Sequence, residues 1–226
     1  MDAKQLAAEK AVDYVKSGMV VGLGTGSTAK YAIIKIGSMV KQGLQIKAIA
    51  TSLQSETLAK SEGINITSFA EVKSIDITID GADEADAEFN LIKGGGGALL
   101  HEKIVAAASK FYVIVVDEKK LVTQLGKFPL PVEVIPFGWE VTKQKLLQLD
   151  CTTKLRYAGK IPFVTDSGHY IIDCHFSRIN DPETLHTKIN NIPGVVENGL
   201  FLQMADEIIV GYTDGNLKTM KRNDIE

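Results

Sequence analysis

The sequence predicts an α/β protein with a mostly parallel sheet, helices on both faces of that sheet, and a smaller α+β unit. Two observations support this prediction. In the first half of the chain, short apolar runs alternate with amphipathic helical segments, which is typical of βα units. Near residue 126 the alternation stops and a proline-rich segment begins.

The elements expected in the first half follow from the period of the apolar residues. They are a helix at 4–16, a strand at 19–23, a helix at 28–39, a strand at 45–50, a helix that Ser52 caps and Gly63 ends, a strand at 75–79, a helix at 98–109 and a strand at 111–116. This order predicts a Rossmann-like sheet.

The second half has a different pattern. Residues 127–136 carry three of the six prolines, so we expect an edge strand or a connector there. A helix at about 139–149, strands at 152–157 and 170–176, a helix at 182–191 and a strand at 195–201 follow. This order predicts a small α+β, ferredoxin-like domain at 127–201. A strand at 208–210 is expected to return to the first sheet, which gives a Rossmann-like catalytic domain of residues 1–126 and 202–226.

Composition excludes several classes of protein. The chain has 226 residues, of which 45% are hydrophobic and 23% charged, as in an ordinary globular protein. Its 25 Lys and Arg against 28 Asp and Glu give a net charge of −3, so we expect no nucleic-acid partner. No apolar run approaches the roughly 18 residues of a membrane span, and the N-terminus lacks a signal peptide's apolar centre. We therefore expect a cytoplasmic protein with no membrane partner.

The cysteines and histidines do not predict a metal centre. Cys151 and Cys174 have no CxxC or zinc-ligand spacing, and the four histidines form no HExxH pattern. We therefore expect free thiols and no structural metal.

A glycine- and hydroxyl-rich segment, GTGST at 24–28, links the first strand to the next helix. Glycine lets backbone N–H groups approach an anion, the helix N-terminus adds donors, and Ser27 and Thr28 add hydroxyls. A Walker A loop would need a lysine that is absent here. The segment fits the relaxed dinucleotide fingerprint, but residues 50–53 lack the acidic residue of that motif. A small phosphorylated ligand is therefore favoured, and a tight turn with a hydroxyl cap is the alternative.

An acidic cluster follows the third strand. Asp80 and Asp83 are separated by a glycine and an alanine, and two such carboxylates can bind sugar hydroxyls or move protons. Mg²⁺ binding is an alternative, although the order of an EF-hand loop is absent. We interpret Glu84, Asp86 and Glu88 as a solvated acidic turn.

A second glycine run, Lys93 followed by four glycines at 94–97, precedes a helix. Because a well-patterned helix follows at once, the run indicates backbone packed against a ligand or another chain rather than a linker. In that helix the residues taken as the apolar stripe are Leu100, Ile104, Ala107 and Ala108. Glu102 lies away from the centre of this stripe and is expected to face the same space as the glycines.

Together these clusters favour one kind of chemistry. An anion cradle, two carboxylates, a lysine and a separate glutamate suit proton abstraction next to the carbonyl of a sugar phosphate, with an enediolate intermediate. This chemistry needs no redox or metal cofactor. Lys120 follows the fourth strand, where it can reach a phosphate or form a solvated charge pair with Lys119.

Five segments resemble the motifs of the ribose-5-phosphate isomerase type A family, in that family's order and spacing. They are GLGTGSTA at 22–29, DGADE at 80–84, KGGG at 93–96, GKFPLPVEV at 126–134 and IPGVV at 192–196. The resemblance covers nearly the whole chain. It implies interconversion of D-ribose 5-phosphate and D-ribulose 5-phosphate in the non-oxidative pentose phosphate pathway, without a cofactor. It also implies a homodimer or a homotetramer.

The resemblance also implies roles for individual residues. Glu102 matches the general base that moves a proton between C1 and C2. Asp80, Asp83 and Lys93 match the residues that hold the sugar, assist ring opening and stabilise the intermediate. The implied substrate-binding residues are Thr25, Gly26, Ser27, Thr28, Asp80, Gly81, Ala82, Asp83, Lys93, Gly94, Gly95, Gly96 and Lys120, with Lys4 as a further phosphate ligand.

Two other functions stay open at this point. A sugar-phosphate sensor can use a similar glycine and hydroxyl loop, but about 18 residues before the first strand leave little room for a DNA-binding helix pair. A deaminase or lactonase acting on another sugar phosphate would share a related phosphate loop. The pairing of Asp80 with Asp83, and of Lys93 with Glu102, favours the isomerase.

Overall fold

The structure is a computed structural model that describes residues 2–222. Its contacts divide the chain into two compact units. The first unit contains the described residues up to Ala82, then His101–Leu121, and those from Gln203 onward. The second unit contains Asp83–Leu100 and Val122–Leu202.

The helices are α1 (Ala3–Val12), α2 (Ala29–Lys41), α3 (Leu53–Ser61), α4 (Leu99–Ala107), α5 (Trp139–Leu147) and α6 (Pro182–Asn190), with a 3₁₀ helix at Glu118–Lys120. The strands are β1 (Val20–Leu23), β2 (Lys47–Ala50), β3 (Ile77–Asp80), β4 (Glu84–Ala85), β5 (Leu91–Ile92), β6 (Tyr112–Asp117), β7 (Leu130–Val134), β8 (Thr152–Leu155), β9 (Tyr157–Ala158), β10 (Ile161–Pro162), β11 (Tyr170–His175), β12 (Val195–Asn198), β13 (Leu200–Phe201), β14 (Glu207–Gly211) and β15 (Leu217–Lys221).

The first unit is built on a six-stranded sheet with the strand order β15-β14-β6-β3-β1-β2. All neighbouring pairs are parallel except β14 with β15, so the predicted mostly parallel sheet and the return of β14 are confirmed. The strand order reverses at β1, because β2 lies on one side of it and β3 on the other. In open α/β sheets the crevice at the carboxyl ends of such strands is where ligands bind.

Helices cover both faces of this sheet, as predicted. On one face Val21 and Leu23 belong to a buried cluster with residues of α1 and α2. On the other face the helix α4 comes close to β1, since a Cβ atom on Gly22 would lie 2.9 Å from Cγ1 of Val105. The predicted N-cap of α3 is confirmed, because the side chain of Ser52 accepts a hydrogen bond from the helix backbone.

The second unit contains a four-stranded antiparallel sheet with the order β12-β7-β11-β8. In chain order its elements are β7, α5, β8, β11, α6 and β12. This is the βαββαβ arrangement of a ferredoxin-like fold, which confirms the prediction for this part of the chain. Its core includes Leu146 of α5 and Ile189 of α6, packed with buried side chains of the sheet.

The expectation that residues 127–136 form an edge strand or a connector is wrong, because β7 lies between β11 and β12. Pro131 fits there for a local reason. In an antiparallel ladder the nitrogen and the carbonyl of one residue face the same neighbour. The Pro131 carbonyl accepts from Gly199 N–H at 2.8 Å, and the Gly199 carbonyl accepts instead from Lys93 N–H at 2.9 Å. No donor is therefore required from the proline nitrogen.

The segment 83–100 belongs to the second unit because of pairings that the sequence did not reveal. Its strands β4 and β5 form a three-stranded sheet with β13. The domain division at 126/127 and 201/202 stays a prediction, and the compact units differ from it by placing 83–100, 122–126 and Leu202 with the second unit. Cys151 and Cys174 are both free and buried, as expected for thiols.

Candidate active site

The 24–28 loop begins where β1 ends, and hydroxyl groups between β2 and the first turn of α3 hold its first residues in place. Thr25 is buried, and its hydroxyl lies 2.7 Å from that of Thr51 and 2.8 Å from that of Ser52. The hydroxyl of Ser55 donates to the carbonyl of Gly24 at 2.7 Å. Three hydroxyl residues at the end of β2 and the start of α3 therefore hold the loop in one conformation.

Asp80 at the end of β3 forms the floor beside this loop. Its side chain is completely buried, and its Oδ1 accepts hydrogen bonds from the backbone N–H of Thr25 at 3.1 Å and of Gly81 at 2.7 Å. A Cβ atom on Gly24 would lie 2.2 Å from the same oxygen. Position 24 therefore requires glycine, because the loop backbone and the carboxylate are in direct contact.

Tyr112 of β6 is hydrogen-bonded to Asp80 and is affected by the charge of Glu102. The Tyr112 hydroxyl donates to Oδ2 of Asp80 at 3.3 Å. The pKa of Tyr112 is raised well above its usual value, first by complete burial and then by the negative charges of Asp80 and Glu102. Both carboxylates therefore lie near one neutral phenol, within the first unit.

Glu102 itself is buried, with 4% of its surface exposed, in the first turn of α4. The predicted apolar stripe of this helix is wrong. Leu99, Val105 and Ala106 are buried together with Glu102, whereas Ile104 is 49% exposed. The glutamate thus shares the packed face of the helix rather than lying beside it, and it has a partner in the structure.

The residues expected at the phosphate lie at the open side of the loop. Gly26 has a φ of +107°, and Gly26 and Ser27 are exposed. Nζ of Lys4 donates to Oγ of Ser27 at 3.0 Å and lies 4.0 Å from Asp117. Thr28 is the N-cap of α2 and makes no side-chain hydrogen bond to the helix, within the part of the chain described.

Two further residues of the first unit complete the predicted set there. Lys120 is half-buried in the 3₁₀ helix that follows β6, and it has a partner in the structure. Ala82 is half-buried and is the last residue of the first unit before the chain enters the second.

In the second unit the structure brings Asp83 and the 94–97 glycines together. Oδ2 of Asp83 accepts from the N–H of Gly95 at 2.7 Å. A Cβ atom on Gly95 would lie 2.6 Å from Asp83 Oδ1, so a side chain there would displace the carboxylate. Gly95 and Gly96 are exposed and Gly94 is buried, so the middle of the run is open to a ligand.

Lys93 is almost completely buried, with 2% of its surface exposed. Its Nζ lies 5.4 Å from the centroid of the Phe201 ring, at a cation–π distance. Buried lysines are rare unless they have a partner or a function, and Lys93 has a partner in the structure. Its position directly before the glycines supports a role in the site.

The interpretation of Glu84 as part of a solvated acidic turn is wrong. Glu84 is buried, and its two carboxylate oxygens accept from the backbone N–H of Gly126 at 2.8 Å and of Phe128 at 2.5 Å. Asp86 binds the backbone of its own turn, and Glu88 is exposed, as expected. Glu84 therefore holds the segment that leads into β7, and this structural role explains its burial without a catalytic one.

Sequence reasoning missed Tyr112 and Arg156. Tyr112 carried a weak signal, since it lies in the fourth predicted strand, at 111–116, and its hydroxyl needs a partner when buried. Arg156 carried none, because its contacts are with Asp173 and with Gly94 and Gly95, far away along the chain.

Neither a metal-binding cluster nor a membrane-crossing helix is present in residues 2–222. Over that range no group of three or more His, Cys, Asp or Glu side chains is arranged to hold a metal ion. No helix in the same range combines the length and the apolar character needed to cross a bilayer.

Comparison with known proteins identifies relatives along nearly the whole chain. The family model described as "Ribose 5-phosphate isomerase A (phosphoriboisomerase A)" matches residues 47–215. A ribose-5-phosphate isomerase A from a strain of Bacillus cereus is 55% identical over 216 residues, which cover 95% of this chain and 98% of the relative. One from Ruegeria pomeroyi is 50% identical over 224 residues, which cover 96% and 86%.

Solved structures agree with this result. A ribose 5-phosphate isomerase A from Methanocaldococcus jannaschii superimposes with a TM-score of 0.92 at 43% identity, covering 97% of this chain and 98% of that one. A D-ribose-5-phosphate isomerase in complex with phospho-erythronic acid gives a TM-score of 0.93 at 41% identity, covering 98% and 100%.

Proposed function

The chain belongs to the ribose 5-phosphate isomerase A family, and we propose that it interconverts D-ribose 5-phosphate and D-ribulose 5-phosphate with Glu102 as the base. The reaction is an aldose–ketose isomerisation. The observation that supports the assignment of the base is the shared influence of Glu102 and Asp80 on Tyr112. Because both charges raise the pKa of the same tyrosine, they support a position of Glu102, a buried carboxylate of α4, near the strand-end carboxylate beside the phosphate loop.

The chemistry follows from moving one proton between neighbouring carbons. Glu102 takes the proton from C2 of the open-chain aldose, and the electron pair moves onto the C1 carbonyl to give an enediolate. Glu102 then delivers the proton to C1, while the O2 hydroxyl proton passes to O1, so that C2 becomes the ketone and C1 carries the hydroxyl. A general base of this kind accelerates a reaction by about 10²–10⁴-fold, and no bond in the sequence of steps requires a redox cofactor.

The phosphate is assigned to the first unit. Ser27 and Thr28 stand at the start of α2, where backbone N–H groups and the helix dipole favour an anion. Lys4 reaches Ser27, which supports its role as a phosphate ligand, and Lys120 is assigned the same role by its match to the family. Thr25 and Gly26 are assigned to the part of the loop that precedes Ser27 and Thr28.

Asp80, Asp83 and Lys93 are assigned to the sugar and to the negative charge that develops on it. Lys93 supplies the cation, and donors aimed at a developing oxyanion are a large source of rate enhancement. Gly81, Ala82 and Gly94–Gly96 are assigned to backbone contacts with the substrate. The relative bound to phospho-erythronic acid supports this charge assignment, because that compound carries a carboxylate as well as a phosphate.

The test is conversion of ribose 5-phosphate, followed by NMR, by wild type and by Glu102→Gln, with EDTA present and no nucleotide added. We expect the wild type to form ribulose 5-phosphate and Glu102→Gln to lose at least about 10²-fold in kcat. Glu88→Gln is the matched control, since Glu88 is exposed and has no assigned role. Near-wild-type turnover by Glu102→Gln would mean that another group is the base.

The same assay separates the alternatives. Substrate binding without turnover by the wild type would favour a sugar-phosphate sensor, and ammonia release from glucosamine 6-phosphate would favour a deaminase. A cytoplasmic location stays a prediction from the sequence, and a homodimer or homotetramer stays a prediction from the family. Light scattering on the purified protein tests the oligomeric state.

A further inference from the structure

The glycine run that precedes α4 is held by a residue far away along the chain. Residues 94–97 form a turn in which Gly97 N–H donates to the Gly94 carbonyl at 3.0 Å. From the other side, Nη1 of Arg156 donates to the carbonyls of Gly94 at 2.8 Å and of Gly95 at 3.2 Å. One guanidinium nitrogen therefore binds two successive peptide groups of the turn.

Arg156 can do this because its own position is fixed. Its Nε lies 3.0 Å from Oδ2 of Asp173, and its Nη2 lies 2.5 Å from Oδ1. This two-point pairing matches the planar fork of arginine to a carboxylate and sets the direction of the third nitrogen. The backbone N–H of Arg156 also donates to the carbonyl of Ile171 on β11 at 2.8 Å.

The aromatic ring of Phe163 lies beside both Arg156 and the glycine turn. Phe163 N–H donates to the Arg156 carbonyl at 2.9 Å, and the guanidinium carbon lies 5.9 Å from the Phe163 ring centroid. A Cβ atom on Gly97 would lie 2.4 Å from this ring. The turn is thus enclosed by Arg156 at its carbonyls and by Phe163 at its last glycine.

The direction of the carbonyls determines the direction of the amides. In a trans peptide the C=O and the following N–H point to opposite sides. Holding the Gly94 carbonyl therefore aims the Gly95 N–H away from Arg156, and this N–H donates to Asp83 at 2.7 Å. Holding the Gly95 carbonyl aims the N–H of Gly96 away as well. Gly96 is exposed, and its N–H has no acceptor among the residues described.

We propose that Arg156 is a positioning residue for the isomerisation. It fixes the two peptide groups so that the Gly95 N–H orients Asp83 and the Gly96 N–H is presented to an oxygen of the sugar phosphate. This inference rests on the proposed function, because Asp83 and Gly96, which Arg156 would orient, are assigned to the substrate in that proposal. Arg156 touches neither the substrate nor the base in this scheme.

The test compares Arg156→Met and Arg156→Lys with wild type by steady-state kinetics on ribose 5-phosphate, corrected for folded protein. Because donors to a developing oxyanion act mainly in the transition state, we expect Arg156→Met to lower kcat by about 10–100-fold and to change KM less than about threefold. Arg156→Lys is expected to recover only part of kcat, because an ammonium cannot pair with Asp173 at two points and also bind both carbonyls.

Arg178→Met is the matched control, since Arg178 is exposed in the same unit and is expected to leave kcat unchanged. A purely structural role for Arg156 would lower the melting temperature but not kcat per folded molecule, and that result would overturn the proposal. Should Arg156→Met fail to fold, Arg156→Lys decides the question, and a kcat within about twofold of wild type refutes it.

Amide hydrogen exchange gives an independent readout. Loss of protection at the Gly95 N–H in Arg156→Lys is expected, and unchanged protection with full activity contradicts the proposal. Absence of turnover in the wild type would overturn the proposed function instead, so the two failures are distinguishable.

Discussion

Gly24→Ala tests how tightly the phosphate loop and Asp80 are packed. The new Cβ atom would lie 2.2 Å from Oδ1 and 2.5 Å from Cα of Asp80. Carbon atoms in good contact are about 3.5–4.0 Å apart, so the ends of β1 and β3 must separate by roughly 1 Å. The Cα atom belongs to the backbone, and a side-chain rotation cannot relieve this contact.

The same separation acts on two hydrogen bonds between the strand ends. Gly24 N–H donates to the Ile79 carbonyl at 2.9 Å, and Thr25 N–H donates to Asp80 at 3.1 Å. About 1 Å of added distance takes both beyond hydrogen-bond range. Overpacking costs about 1–3 kcal/mol and each lost hydrogen bond about 0.5–1.5 kcal/mol. We therefore expect the free energy of unfolding to fall by about 2–6 kcal/mol.

Activity is expected to fall further than stability alone explains. A displacement of about 1 Å at a positioned group costs roughly 10²-fold in rate, so kcat/KM of the folded fraction should drop by about that factor. The assay combines urea unfolding with ribose 5-phosphate kinetics. Gly37→Ala is the control, because its Cβ would lie 2.5 Å from the Glu62 side chain, away from Asp80. It should lose stability but keep its kcat, and wild-type stability and kcat/KM in Gly24→Ala would refute the reasoning.

Two further changes test structural features outside the proposed chemistry. Glu84→Gln replaces one carboxylate oxygen by an NH₂ group that faces the N–H of Gly126 or Phe128, so a loss of about 2–4 kcal/mol in urea unfolding is expected; a change below about 0.5 kcal/mol would contradict the assigned role. The pKa of Asp76 is lowered, chiefly by its hydrogen bond from Lys110. The ionised pair therefore stabilises the fold above the usual aspartate pKa, and this stabilisation is lost as the pH falls through the lowered pKa. Lys110→Met should therefore make unfolding less steeply dependent on pH between about 5 and 3, as measured by urea titration, and an unchanged slope would argue against this pair.

The elements can be predicted well from the sequence where periodicity and burial agree. The parallel strands of the first unit are short apolar runs buried on both faces, and their alternation with helices leaves few possible topologies. The prediction for residues 127–136 is wrong because proline is excluded from central strands only where its missing backbone N–H is needed as a donor. At Pro131 the donor is made unnecessary by Gly199, whose carbonyl binds Lys93 instead. This exchange of hydrogen-bond partners depends on pairing between distant segments, so the local sequence around Pro131 does not indicate it.

The face of α4 was mistaken for a related reason. The helix carries apolar residues on more than one side, so two overlapping stripes fit its sequence equally well. Val105 packs with Ile49 and Ile75 of the first unit, and Ile104 is left exposed. The sequence predicts that Glu102 faces the glycines because it lies away from the centre of the predicted stripe, in the first turn of the helix, whereas its burial follows from a stripe that the sequence does not distinguish.

Asp80 and Asp83 illustrate what local pattern can and cannot show. Their spacing and their position after a strand were enough to select both residues. Nothing in the local sequence separates their roles, yet Asp80 accepts from two backbone N–H groups and a tyrosine hydroxyl, which fill most of the acceptor positions of a carboxylate. Asp83 is half-buried and is held by Gly95. The donors that distinguish the two carboxylates come from separate loops and strands, so the chemistry of each residue is decided by contacts that only the folded chain provides.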